Sequence, residues 1–211
     1  MELQQYILTP NADDTQAVYA AAEAIRRGGL VIFPTETVYG IGCNALDANA
    51  VRSLYAAKNR PADKPLLLHL HSIRQAKELA ILDQCAMSLL ERFTPGPLSV
   101  IVRKKAIVPP EVTSGGDTVG LRFPSHPFFL AMARAAGVPI AATSANRSGS
   151  ASAIDGRAAA FTDLADVIVD GGVCTYSVES TIVSLTGETP RLLREGAISR
   201  AQLSEVLNLC D

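Results

Sequence analysis

Apolar positions recur along this chain with two periods, and the switches between them mark where helices give way to strands. From Asp13, the residues Val18, Ala21, Ala22 and Ile25 fall on one face of an alanine-rich helix. Asp13 is its expected N-cap, Gln16 stands at the third helical position, and Gly28-Gly29 ends it. The apolar run from Leu30 to Phe33 is short enough for a buried strand. A second helix over 49–57 turns Val51, Leu54 and Tyr55 inward and reaches Lys58-Asn59-Arg60-Pro61, where proline stops the winding and leaves the basic pair in a loop. A buried strand is predicted at 66–70, a capping box at Ser72 and Gln75, and a helix at 83–93 stopped by Thr94-Pro95-Gly96-Pro97. Further strands are predicted at 98–102, 118–122, 139–143, 167–170, 180–185 and 191–193, with helices at 127–136 and after a Ser199/Gln202 cap. Helices alternate with strands, yet several strands follow one another directly. The predicted class is therefore α/β, a twisted mixed β-sheet flanked by helices and not a purely parallel one.

The composition narrows this picture. With 211 residues and 48% hydrophobic content the chain can bury a sizeable core, and residues 1–211 are expected to form one domain without repeats or low-complexity linkers. Met1-Glu2-Leu3-Gln4-Gln5 carries neither a basic region nor an apolar stretch, and the longest apolar runs, 17–22 and 128–133, are six residues long. Neither a signal peptide nor a membrane span is expected, and the predicted location is cytoplasmic. Cys43, Cys85, Cys174 and Cys210 form no Cys-x-x-Cys pair, and His69, His71 and His126 have no zinc spacing, so no disulfide framework and no structural metal is predicted. A formal charge of −2 gives no global attraction to nucleic acid or to an anionic membrane, so any polyanion must be met locally.

Candidate chemistry concentrates after the first strand. Pro34-Thr35-Glu36-Thr37-Val38-Tyr39-Gly40 gathers hydroxyls, an acid and a glycine where an open α/β sheet keeps its ligands. No Gly-x-Gly-x-x-Gly or Walker A sequence is present. Phosphates would have to be held by side chains such as Lys58, Arg60, Lys64 and Arg194, with hydroxyls from Ser144 and Ser152. Taken singly, Lys58 and Arg60 read as solvated cations at a helix end, His69 as a buried histidine, and Ser144 and Asn146 as turn caps.

Taken in order, they resemble a known family. Pro34-Thr35-Glu36-Thr37-Val38-Tyr39-Gly40, Lys58-x-Arg60-Pro61, Pro65-Leu66-x-x-His69, Pro95-Gly96-Pro97, Thr118-x-x-x-Arg122, Ser144-x-Asn146 and Glu179-Ser180-Thr181 are similar to the motifs of the YrdC-like L-threonylcarbamoyladenylate synthases. The match runs over about 15–197 and resembles the short, single-domain form, with departures at Glu195, where proline is common, and Lys64, where asparagine is. The resemblance implies a YrdC-like open α/β fold and a nucleotidyltransferase. Its reaction joins L-threonine, bicarbonate and ATP into threonylcarbamoyl-AMP and pyrophosphate, for the t6A37 modification of tRNA. It makes Lys58 and Arg60 the catalytic pair and assigns ATP to Arg60, Lys64, Thr118, Ser144, Asn146, Ser152 and Arg194. L-Threonine falls to Thr35, His69, Arg122 and Ser180. Mg²⁺ is implied as the companion of ATP with no metal ligand from the protein. The tRNA threonylcarbamoyl-transfer proteins are implied as partners, with tRNA or double-stranded RNA as a further one. The alternative is a non-catalytic double-stranded RNA or tRNA-binding module of the same fold. That reading needs an extended basic row, whereas 19 basic residues are balanced by 21 acidic ones and cluster only at Arg26-Arg27 and Arg103-Lys104-Lys105.

Overall fold

A computed structural model describes residues 3–8 and 14–207. In chain order the elements are β1 (Gln4–Ile7), α1 (Thr15–Arg26), β2 (Val31–Phe33), β3 (Gly40–Asn44), α2 (Ala48–Lys58), β4 (Leu67–His69), α3 (Ile73–Leu79), α4 (Gln84–Phe93), β5 (Gly96–Arg103), β6 (Thr118–Phe123), α5 (Pro127–Ala136), β7 (Ile140–Ser144), α6 (Gly156–Ala159), β8 (Val167–Asp170), β9 (Thr181–Ser184), β10 (Arg191–Arg194) and α7 (Arg200–Ser204). The ten strands form one sheet in the order β1-β8-β2-β3-β7-β4-β6-β5-β9-β10. Parallel pairs (β1/β8, β2/β8, β4/β6, β5/β9) mix with antiparallel ones, as the strand-after-strand stretches of the sequence required.

Several local expectations shift. Asp13 lies outside the described residues, so its cap with Gln16 is not seen; Asp14 occupies the cap position without a side-chain bond, and the helix starts at Thr15. Ser72 Oγ does accept from the Gln75 backbone N–H, but the Gln75 side chain accepts from His71 N instead of closing the box. The Ser199/Gln202 box forms in full. Lys58 is the last residue of α2 and is buried, not part of a loop. The chain turns one residue later, at Asn59, whose left-handed φ of 49° ends the helix and sends Arg60 a different way.

The two faces of the sheet are covered unequally. Alternation sends Ile32, Leu68, Val100, Leu121 and Val183 to one face, where α2, α3 and α4 pack Val51, Leu54, Leu79, Leu89 and Leu90 against them. Val31, Phe33, Ile140, Ala142 and Val167 point the other way and meet α1 and α5 through Ala21, Ile25, Phe129 and Met132. That second cover reaches β7 and touches β4 only through Phe129 against His69, and past it Leu67, Ile101 and Ile182, with Ala142 at the edge, form the apolar floor of a cavity on the same face. This uncovered half of the sheet is where a ligand can sit.

Gly120 shapes that floor. It pairs with Leu67 on one side and Ile101 on the other, and a Cβ there would collide with Leu67 and stand 2.9 Å from the Ile101 side chain. Gly120→Val should therefore lift both side chains into the cavity and cost about 1–3 kcal/mol, read as a lower midpoint in urea unfolding.

Candidate active site

The uncovered half of the sheet carries a cavity of about 330 Å³. Its side chains come from distant parts of the chain: Thr35 after β2, Arg60 after α2, His69 from β4, Arg122 from β6, Ser144 from β7, Ser180 before β9 and Arg194 from β10. Three guanidiniums line it against one carboxylate, that of Glu179, among the described residues. A chain of formal charge −2 thus presents a locally electropositive cavity.

One end is built for an anion. Arg122 and Glu36 form an ion pair at 3.0 Å with both side chains buried, and Glu36 also accepts from Ser125 N at 2.9 Å. The same Arg122 nitrogen, Nη2, donates to Thr35 Oγ1 at 3.4 Å and to Thr37 Oγ1. The Thr35 hydroxyl is oriented in turn by donating to Val38 O at 2.6 Å. These bonds occupy one corner of the guanidinium, while the buried Nε has no partner. His69, opposite Arg122 in the β4/β6 register, likewise leaves its buried Nδ1 unpartnered. It lies edge-on to the rings of Phe33 and Phe129, at 6.3 and 5.9 Å. Burial first, and then the charge of Arg122, push its pKa well below the ordinary value, so it is a neutral imidazole. Both residues line the cavity, and each keeps one buried ring or guanidinium nitrogen without a hydrogen-bond partner among the described residues.

The other end gathers around Lys58. Its ammonium donates to Ser144 O and, at 3.0 Å, to Asn146 Oδ1, while Ser144 Oγ donates to Asn146 Oδ1 at 2.6 Å. Asn146 Nδ2 then holds Arg147 O at 3.1 Å and Ser150 O at 2.6 Å, so one amide fastens the loop after β7 over the lysine. Burial, reinforced by Arg60 and opposed by Glu179, brings the Lys58 pKa down to about 8. Arg60 is aimed by donating to Lys64 O at 3.0 Å and Pro65 O at 2.8 Å. Arg194 pairs with Glu179 and donates to Ser180 O at 3.0 Å and Ser180 Oγ at 3.3 Å, and Ser152 Oγ donates to Glu179 at 2.7 Å.

Of the residues singled out from sequence, Thr35, Arg60, His69, Arg122, Ser144, Ser180 and Arg194 line the cavity. Lys58 and Asn146 stand behind Ser144, and Ser152 reaches the wall through Glu179. Lys64 is exposed, and Thr118 starts β6, four residues before Arg122; neither side chain is on the wall. His126 caps α5 by accepting from Phe128 N at 3.2 Å, and Cys43 is fully buried in the core. Glu36 and Glu179, acids that a sequence reading makes orienters of cations or caps of backbone groups, pair with Arg122 and Arg194, and Glu36 also takes Ser125 N, while Thr37 accepts from Arg122. Among the described residues no group of three or more His, Cys, Asp or Glu could hold a metal ion. Among the described residues no helix is long and apolar enough to cross a membrane.

A mixed sheet left open on part of one face, with an electropositive cavity assembled from strand ends and no glycine-rich phosphate loop, is an architecture that meets an anion with side chains. The chain belongs to the Sua5/YciO/YrdC family: residues 23–196 match that family's model, which carries the description "Telomere recombination". It is 44% identical over 190 residues to the threonylcarbamoyl-AMP synthase of Pyrococcus abyssi, covering 89% of this chain and 56% of that protein. It is 42% identical over 208 residues to the threonylcarbamoyl-AMP synthase of Bacillus subtilis, covering 93% and 58%. The chain thus spans a little over half the length of these two curated relatives. The crystal structure of P. abyssi Sua5 complexed with L-threonine superposes with a TM-score of 0.92 at 39% identity, covering 100% of this chain and 63% of that one.

Proposed function

We propose that this chain is a threonylcarbamoyl-AMP synthase, a nucleotidyltransferase that makes threonylcarbamoyl-AMP and pyrophosphate from L-threonine, bicarbonate and ATP. The observation that carries the reading is one cavity with two cationic ends: Arg122 with its unpartnered Nε at one, Arg60 and the Lys58-braced Ser144 at the other. A reaction that joins two anions needs that arrangement, because the carbamate and the triphosphate repel each other until cations offset their charge. The relatives named for this activity, and the relative crystallised with L-threonine, support the assignment.

In this reading the amino-acid carboxylate takes the free edge of Arg122, and Thr35, Ser180 and neutral His69 surround the rest of the amino acid. The amine adds to bicarbonate and water leaves, giving a carbamate. A carbamate oxygen then attacks the α-phosphorus, the new O–P bond forms, and the bond to the β-phosphate breaks to release pyrophosphate. The protein supplies alignment and charge, not a covalent nucleophile. Arg60 and Arg194 bring their charge to the phosphates, beside Ser144, which Lys58 and Asn146 hold in place. Lys64, Thr118 and Ser152 belong to the ATP side, reached when ATP extends beyond the wall. Mg²⁺ fits as a companion of ATP: the one lining carboxylate, Glu179, is already bonded to Arg194 and Ser152. When bound it neutralises charge on the phosphates. The product passes to the tRNA threonylcarbamoyl-transfer proteins of the cytoplasm.

The test is pyrophosphate release from ATP and Mg²⁺, measured with threonine and bicarbonate each present or omitted. Release that requires both is expected, and Arg60→Ala should lower kcat/KM by about 10²–10³ while the protein stays folded. A well-folded wild type that releases none, yet binds tRNA with steep salt dependence, would replace this reading by that of an RNA-binding module.

A further inference from the structure

We propose that Ser99, a fully buried residue away from the cavity wall, is a positioning residue that makes the Ser180 hydroxyl an obligatory donor toward the ligand. The inference rests on the reading of Ser180 as part of the amino-acid site.

Ser99 stands in the middle of β5 between Leu98 and Val100, on the same side of the strand as the floor residue Ile101. The strand register breaks between Gly96 and Ser99, and the residue paired with Ser99 on β6 is Arg122. A bulge of this kind re-aims the side chain that follows it. Ser99 is 0% exposed. A hydroxyl in such a strand is costly unless bonded, and among the described residues its side chain has one hydrogen-bond partner, Ser180 Oγ at 2.9 Å.

The direction of that bond follows from counting donors and acceptors. If Ser180 donated to Ser99, the Ser99 proton would be left in the core without an acceptor. Ser99 is therefore the donor. Arg194 Nη2 also donates to Ser180 Oγ, at 3.3 Å. A serine oxygen has two lone pairs, and both are then taken. The Ser180 proton has one place left to go, the cavity that Ser180 lines. The hydroxyl thus presents a fixed donor and refuses donors, which selects for an acceptor oxygen of an anionic ligand, a carboxylate or carbamate, at that point. Without Ser99 one lone pair is freed, and the hydroxyl can turn and accept.

The experiment is a double-mutant cycle with Ser99→Ala, Ser180→Ala and the double variant, read by calorimetric titration of L-threonine and by the KM values for threonine and ATP. Thermal unfolding establishes which variants are folded. Ser99→Ala is expected to weaken threonine binding about 10-fold, leave the KM for ATP within about 2-fold, and have no further effect in the Ser180→Ala background. Ser99→Cys, which keeps a weak donor at similar volume, should fall between wild type and Ser99→Ala and carries the comparison if the alanine variant does not fold. Additive losses in the double variant, or equal changes in both KM values, would mean that Ser99 only packs. Wild-type threonine binding with an unaffected Ser99→Ala overturns this inference alone, whereas a folded wild type that binds no threonine overturns the functional reading beneath it as well.

Discussion

Arg122→Ala should abolish threonine-dependent pyrophosphate release and also destabilise the fold by about 3–5 kcal/mol, because it leaves Glu36 as an unpaired charge in the interior. The pair is buried on both sides, at 3.0 Å, and besides Arg122 the Glu36 carboxylate accepts from Ser125 N among the described residues. One variant therefore confounds two losses, and a second separates them. Arg122→Met combined with Glu36→Leu removes both charges, so it should recover most of the stability, since apolar replacements of buried ion pairs are often neutral. It should recover none of the threonine binding, since the unpartnered Nε goes with the guanidinium. Urea unfolding of the three proteins, beside calorimetric titration of threonine, gives both quantities. Threonine binding restored in the double variant would show that Arg122 serves the fold alone.

Lys58→Met should lower kcat/KM by about 10²–10³, because the ammonium holds Ser144 and Asn146 at the phosphate end of the cavity. Its pH behaviour has two opposite signs. Burial lowers the Lys58 pKa from 10.5 to about 8, so wild-type activity should fall as pH rises through about 8 and the ammonium is lost. Stability moves the other way. Between about 8 and 10.5 the unfolded chain keeps a proton on Lys58 that the folded chain has released, so the stability of the wild type relative to Lys58→Met should rise across that window. Below about 8 both states are protonated and the difference should be flat. Unfolding free energies of the two proteins from pH 7 to 11 check this, and a difference that does not rise between 8 and 10.5 would mean that Lys58 is not held in a low-dielectric site.

Much of the site was legible because its motifs are short and local. Pro34-Thr35-Glu36-Thr37 turns back on itself through Thr35 Oγ1, which accepts from Thr37 N at 3.2 Å and donates to Val38 O, so the stretch orients its own hydroxyls. The strand at 167–170 was legible from its apolar run, and that at 118–122 from Val119 and Leu121 two residues apart. Two strands were not. Residues 4–7 form an edge strand, mostly exposed, whose sequence carries no alternation. Residues 40–44 were hidden by Gly40 and Gly42, which look like turn residues but are small for a packing reason. A Cβ at Gly40 would lie 2.7 Å from the Phe33 ring, and one at Gly42 would lie 2.9 Å from Ala141 O.

The sequence by itself determined the class of fold, most of the elements and the residue types that meet an anion, because periodicity, capping and turn chemistry act over a few neighbouring residues. It could not determine burial or partnership. Lys58 has the sequence of a solvated helix-end cation, and it is buried because the end of β7, 86 residues further on, returns to it at Ser144. Ser99 has the sequence of an ordinary strand residue, and it acquires a partner only because β5 lies beside β9, bringing Ser180 within reach from 81 residues away. Which half of the sheet face stays uncovered was likewise a tertiary outcome. The reach of α1 and α5 across the strands decides it, and that depends on how two helices of given length pack on a twisted sheet, a property of the assembled chain and not of any segment.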